Sequence, residues 1–292
     1  MKMRFAQWAI ALGLVGATSL VPTVQASPAV YSNLVVNGLM AAASWPGTGS
    51  FEIETADEFV PTQTTRVDHA TFIGLLPAGA LFGSITQIRL EIYRVFPNDS
   101  NTGRSPSVPT RVNWPSDVAF AARDSTASQW SFSAAVQNVS FTASNSIGPG
   151  GIHASPNQTT GGNGPVTGQA VQFDVDLLTP FLLPADHYFF VPQVQLSHGT
   201  FYWLSASRPI RGGGTPFASD LQAWTRDALL DPDWLRIGTD IVGGQTPPTF
   251  NMALALNGTA VGAQVPEPAP IALFGLGVLA LRAMRGRRAR PD

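Results

Sequence analysis

Hydrophobic and polar residues alternate with a period of two along several stretches of the chain. Ile88, Leu90 and Ile92 fall on one side, and Arg89, Glu91 and Tyr93 on the other. Val171, Phe173, Val175 and Leu177 oppose Gln172, Asp174 and Asp176, and Phe250, Met252, Leu254 and Leu256 repeat the pattern near the end. Successive side chains of a strand point to opposite faces, so each run predicts a half-buried strand of an antiparallel sheet. Residues 50–54, 67–74, 117–122, 130–142, 187–196, 201–206 and 234–238 add further strand candidates. Gly, Pro and Asn punctuate them at short intervals. The pattern predicts an all-β fold, one antiparallel β-sandwich or jelly-roll-like domain over residues 27–260. Helical periodicity is scarce. Residues 219–229 predict one short helix, with Ser219 or Asp220 as its cap.

Two polar segments interrupt the strands. Residues 97–116 are rich in Pro, Ser and Asn, and residues 144–169 hold seven glycines between Gly148 and Gly168. Loops of this length are either functional or mobile. Gly161-Gly162-Asn163-Gly164 has no strand feeding it and no helix after it. A phosphate cradle needs that context, so this run predicts a flexible loop.

Composition agrees with a turn-rich β protein. The chain has 292 residues with 28 Gly and 24 Pro, 44% hydrophobic and 12% charged. That is enough apolar material for a core and too little helix-forming charge for a bundle or coiled coil. There is no cysteine, so no disulfide framework contributes.

Charge is partitioned along the chain. Lys2 and Arg4 precede an apolar run from Ala9 to Val21, and Val24-Gln25-Ala26 offers small residues before Ser27. This is the layout of a secretory signal peptide, residues 1–26, cleaved between Ala26 and Ser27. Between residues 27 and 264, ten arginines and no lysine face seventeen acids, a net −7. Such a body lacks the clustered cations that neutralise phosphates, which argues against nucleic-acid binding. At the other end, Val265-Pro266-Glu267-Pro268 is followed by apolar Ala269 to Leu281 and then by Arg282, Arg285, Arg287, Arg288 and Arg290. The prolines separate this segment, residues 261–292, from the strands before it. The apolar run would enter a bilayer as a helix, and the arginines would hold its end on the cytoplasmic side. Its 13 uninterrupted residues reach roughly 20 Å as a helix. Arg282 would therefore snorkel to help span a hydrocarbon core of ~30 Å.

This C-terminal arrangement resembles the PEP-CTERM sorting tail of Gram-negative bacteria. The resemblance rests on the VPEP motif, the hydrophobic helix and the basic cluster. It implies recognition of Val265, Pro266, Glu267 and Pro268 by an exosortase at the inner membrane. It further implies transient membrane anchoring and delivery to the cell surface or medium, in hosts that commonly make exopolysaccharide. The body, through EIETADEF (52–59), EIYRVFPNDS (91–100) and DPDWLRIGTDIVGG (231–244), resembles uncharacterised domains that recur in front of such tails, and this likeness implies no activity.

Candidate chemistry in the body is sparse. There is no Gly-x-Ser-x-Gly elbow and no zinc-ligand spacing, and His69, His153, His187 and His198 are scattered. Glu52 with Glu54, and Asp174 with Asp176, would each share a strand face. Paired carboxylates serve glycoside hydrolysis, but like charges two apart on a strand more commonly face solvent. Asp231, Asp233 and Asp240 around Pro232 are a weak calcium candidate, and Asp57, Glu58 and Asp68 form a second acidic patch. Tyr202, Trp203, Trp224 and Trp234 would form a carbohydrate platform if their faces were exposed; the plainer reading is core, because large aromatics bury much apolar area. The expected function is therefore an exported, non-enzymatic envelope or matrix protein. Extracellular polysaccharide is a conceivable partner, a polysaccharide-binding module is the first alternative, and a secreted hydrolase is the second.

Overall fold

The computed structural model describes residues 27–47, 52–103, 113–148, 151–152, 159–207, 222–227 and 234–262. The expected signal segment and sorting tail, with their two helices, lie outside these residues. In chain order the strands are β1 (Ala29–Asn33), β2 (Val36–Ala43), β3 (Ile53–Phe59), β4 (Thr65–Leu76) and β5 (Ile85–Arg94). They continue with β6 (Ala121–Asp124), β7 (Trp130–Ala143), β8 (Asn145–Ile147), β9 (Val166–Leu183) and β10 (Tyr188–Leu196). The last are β11 (Tyr202–Ala206), β12 (Trp224–Asp227), β13 (Leu235–Arg236), β14 (Asn251–Met252) and β15 (Leu254–Ala260).

Among the described residues these strands form two sheets, and the architecture is an all-β sandwich. The six-stranded sheet has the order β13-β12-β3-β10-β5-β6. The nine-stranded sheet runs β1-β15-β4-β11-β2-β8, with β14 paired to β11 and with β9 and then β7 on the other side of β4. Pairing is antiparallel except between β2 and β8. Since β8 follows β7 directly, the large sheet curls back on itself. A satellite apolar cluster of Ala41, Ile73, Leu75, Ala143, Ala170 and Leu204 joins the strands of that curl.

The alternating positions meet between the sheets. Phe72 stacks on Phe173 with ring centroids 4.9 Å apart, and Phe201 sets its edge against both. Gly74 allows this approach, because a β-carbon there would run into the Phe201 ring. Ile88, Leu90, Ile92, Phe190 and Val194 fill the facing sheet. The chain crosses from one sheet to the other at Ser44 and Trp45. Ser44 Oγ donates to Pro192 O at 2.6 Å and accepts from Thr55 N at 3.2 Å, so the crossing leaves these strand groups satisfied.

The structure departs from the sequence expectations where strands find partners that local pattern does not reveal. The expected strand at 50–54 sits instead at Ile53–Phe59, and that at 117–122 at Ala121–Asp124. The run at 250–256 divides at Ala253, so that β14 pairs β11 while β15 pairs β4 and β1. Of 234–238, only Leu235–Arg236 is strand, and a six-residue π-helical turn, Ile237–Val242, follows. The expected helix over 219–229 is not formed in its described part. Trp224–Asp227 is strand β12, because each of its residues pairs with β3, Arg226 opposite Glu54 and Thr225 opposite Thr55. Tertiary pairing overrides a weak local helix pattern there. The glycine run at 161–164 is also not free. Thr160 N and Gly161 N both donate to Ile241 O at 3.0 Å, and Asn163 N donates to Ser146 O at 2.7 Å. Gly161, Gly162 and Gly164 supply the positive φ that this path requires.

Candidate functional site

The outer face of the six-stranded sheet is where polar groups converge. A solvated face was the expectation from Glu52 and Glu54, yet all seven residues of β3 are buried. The cover is the segment from Asn113 to Phe120, which folds back along β5. Phe96 N donates to Trp114 O at 2.9 Å, Ser116 N to Arg94 O at 2.9 Å and Phe120 N to Ile92 O at 2.8 Å. Trp114 is thereby laid over the sheet. With Ala56, Tyr93, Phe189, Val191, Trp224 and Trp234 it makes a second core outside the sandwich.

Glu54, Glu91, Tyr93 and Arg226 are enclosed in this second core. β12 places Arg226 opposite Glu54 of β3, and the two form a salt bridge through Nε and Oε2 with side chains only 7% and 1% exposed. Arg226 Nη2 donates to the Tyr93 hydroxyl at 3.1 Å, and Nη1 to Asp117 O at 3.1 Å. Its guanidinium lies 4.5 Å from the Trp234 ring centroid and 5.3 Å from that of Tyr93. An arginine is suited to such a place because its planar, weakly hydrated cation stacks on aromatic faces while its N–H groups fork to acceptors. Trp234 Nε1 donates to Ser116 O at 3.0 Å, which ties the covering segment to the same cluster.

Protonation in the cluster follows from hydrogen counting. The Tyr93 hydroxyl lies 2.6 Å from Glu54 Oε1 and 3.1 Å from Glu91 Oε2. It has one proton, and the shorter contact takes it. The contact with Glu91 is then a hydrogen bond only if Glu91 carries a proton and donates. Burial, reinforced by the negative charge of Glu54, pushes the Glu91 carboxyl up to about 8. Burial also opposes ionisation of Glu54, but the charge and hydrogen bond of Arg226, with hydrogen bonds from Tyr93 and Glu91, outweigh it and hold Glu54 below its ordinary value. Burial first, and then the charge of Glu54, pushes the Tyr93 hydroxyl well above its usual range. The cluster is thus a carboxylate, a cation, a phenol and a neutral carboxylic acid linked by donated protons. At its rim, Arg89 bridges Glu52 and Asp124, each at 3.2 Å.

The other candidates are dispersed. Trp203, Trp224 and Trp234 are fully buried, and Trp203 Nε1 donates to Ala253 O at 2.9 Å. Their faces are committed to packing, so with half-buried Tyr202 they form no sugar platform. Asp240 is engaged by Arg236, whose Nη2 lies 2.9 Å from Oδ1 and whose backbone N donates to Oδ2 at 2.8 Å. Asp231 and Asp233 lie outside the described residues. In the second acidic patch, Asp57 Oδ2 accepts from Met252 N at 2.8 Å and so links the two sheets, while Glu58 is buried. Among the described residues, no three His, Asp or Glu side chains are grouped to hold a metal ion. His69 Nδ1 meets Asp176 at 2.8 Å and Nε2 meets Thr71 Oγ1 at 3.1 Å, on the outer face of the large sheet. His187 stacks on Phe189, and burial lowers its pKa. His198 contacts Ser197, and His153 lies outside the described residues. Two surface hollows, of about 300 and 230 Å3, lie at Pro28–Val30 with Val60–Gln63 and at Leu75–Pro77 with Tyr202. Neither is lined by a histidine or a carboxylate.

The remaining chemistry of the sequence lies in the C-terminal segment, beyond the described residues. Residues 264–288 match the PEP-CTERM protein-sorting motif family. The chain carries a PEP-CTERM sorting motif. The match takes in Val265, Pro266, Glu267 and Pro268, the apolar run, and Arg282, Arg285, Arg287 and Arg288, while Arg290 lies past it. A PEP-CTERM tail supports export and sorting by an exosortase-like system, with a surface or extracellular destination. No curated protein and no solved structure matches the chain.

Proposed function

We propose that this protein is an exported cell-envelope or extracellular-matrix component of a Gram-negative bacterium. In this reading the PEP-CTERM tail anchors it transiently in the inner membrane, an exosortase releases it to the surface, and the body is structural or adhesive rather than enzymatic. The observation that carries the reading is the sorting motif at residues 264–288, which follows a β-sandwich body in the chain. The enclosed Arg226–Glu54 cluster supports the structural half of it. Its charges face inward and fasten the covering segment to the sheet, which serves a durable body outside the cell.

A strain lacking the protein tests this. Matrix cohesion should fall and should return with the full chain, and cohesion unchanged by the deletion would refute the structural role.

A further inference from the structure

The free edges of the two sheets are unequal. β13 has two residues, β8 three, β6 four with Arg123 and Asp124 among them, and β1 five. β7 has fourteen, with no charged residue and no proline. Among the described residues its one strand partner is β9. Only its C-terminal end is taken up elsewhere, where Ser144 N donates to Gly38 O at 2.9 Å beside β2. Phe132, Ala134 and Val136 lie in register with core residues Val175, Phe173 and Val171, yet the facing sheet does not cover them fully. Phe132 and Val136 remain 41% and 42% exposed, and Val139 78%. A long, uncharged, exposed edge presents a row of unpaired backbone groups, and proteins normally blunt such edges with lysine, proline or brevity. The four other edges are blunted by brevity.

We propose that β7 is an interface between two copies of this chain, paired antiparallel about a two-fold axis so that two nine-stranded sheets become continuous. Three observations select a second copy as the occupant. An uncharged strand can face itself without opposing like charges. The body carries a net −7 between residues 27 and 264, so this strip is where two acidic bodies approach with least repulsion, whereas a basic partner would seek the acids. The PEP-CTERM motif would also gather identical copies in one place, which raises their local concentration. The ladder is regular from Trp130 to Val136 and becomes irregular between Val136 and Asn138. Two-fold pairing of the regular part centres on Ser133. It sets Phe132 against Ala134 and Trp130 against Val136, an aromatic–β-branched pair, and the symmetry makes each contact occur twice. This inference deepens the matrix reading by naming a partner, and in that respect rests on it.

The absence of cysteine makes the test clean. The full chain, purified in detergent, carries a single Ser133→Cys substitution. A matching chain carries Ser32→Cys, an exposed position on the edge strand β1. Residues directly opposite in an antiparallel pair have Cα atoms about 4.5–5.5 Å apart, within disulfide reach. Under mild oxidation, Ser133→Cys should form a disulfide dimer at least about ten-fold faster than Ser32→Cys. Adding Val136→Lys and Val139→Lys should remove the difference. If that pair of lysines costs the strand-dominated far-UV spectrum, Ser131→Lys, at an exposed position, replaces it. Equal rates at positions 133 and 32 would overturn the inference, as would a rate at 133 that lysine leaves unchanged. So would slow cross-linking with position 133 shielded from thiol reagents on whole cells, since another partner would then cover β7. Surface fractionation of the unsubstituted chain is read separately. Rapid cross-linking of a protein absent from the surface would sink the matrix reading alone, and surface delivery without cross-linking would sink the interface alone.

Discussion

β3 and β7 reverse the usual reading of composition. β3 holds Glu54, Asp57 and Glu58 in seven residues, and all seven are buried. β7 holds no charge in fourteen residues, with Trp130, Phe132, Val136 and Phe141 among them, and most of it is exposed. The difference lies in position. β3 runs between β12 and β10 with a sheet on one side and the Trp114 segment on the other, so even its carboxylates are enclosed, and each then needs a donor. Among the described residues β7 pairs β9 on one side only, and most of its length is exposed. Sheet topology, rather than residue type, decides what is buried in this protein, and Glu54 and Asp57 are tolerated because Arg226 and Tyr93 meet the first and the Met252 N–H meets the second.

The sharpest way to break the comparison is to remove one partner from β3. Arg226→Met leaves the Glu54 carboxylate enclosed without its cation and should cost about 3–5 kcal/mol in denaturant unfolding. Combining it with Glu54→Gln should recover much of that loss. A double-variant cost equal to the sum of the single costs would show that the two side chains do not interact.

A smaller effect sharpens the picture of Glu91. Its folded-state pKa, raised to about 8, exceeds the ordinary 4.5, so its contribution to stability is fully present below 4.5 and is lost as pH rises through about 8. Glu54, held low, acts oppositely, and its contribution is lost only as pH falls through its folded value below 4.5. Glu91→Gln should therefore flatten the melting-temperature profile between pH 5 and 9, gaining on the parent toward the alkaline end. Each kcal/mol is read as about 2–4 °C in a domain of this size. Parallel profiles would contradict the assignment of the proton to Glu91.

The smallest effect is expected on β7. Val139→Lys, at an exposed position on an uncharged edge, should change the stability of the single chain by less than about 0.5 kcal/mol. A loss above 2 kcal/mol would mean that β7 is packed within the body after all.

The fold class was legible in the sequence because Ile88–Tyr93 of β5 and Val171–Leu177 of β9 alternate strictly, and period two leaves a plain trace. β3 was misread for the same reason. Glu52, Glu54 and Glu58 with Ala56 look like the solvent side of a half-buried strand, and only the Trp114 segment, distant in sequence, turns that side into an interior. A trace of the cluster was nevertheless present. Trp224 and Arg226 share one face of β12, as Glu91 and Tyr93 share one face of β5, and a face that alternates aromatics with ions signals an enclosed ionic group. What linked them was the pairing of β12 with β3, which replaced the helix expected at 219–229. The buried tryptophans had the opposite fault: their size is visible in sequence, but the direction they face is not. The sorting motif needed no fold at all, since its prolines, apolar run and arginines are contiguous.

The central claim is that the C-terminal segment delivers this body to the cell exterior. Its most direct measurement is the location and intact mass of the protein in an exosortase-bearing host, compared for the natural chain and for Pro266→Ala with Glu267→Ala. The account predicts that the natural chain reaches the surface or medium, while the doubly substituted chain stays with the membrane and differs in mass by more than the two substitutions account for. The same location for both, with masses that differ by no more than the substitutions, would contradict it.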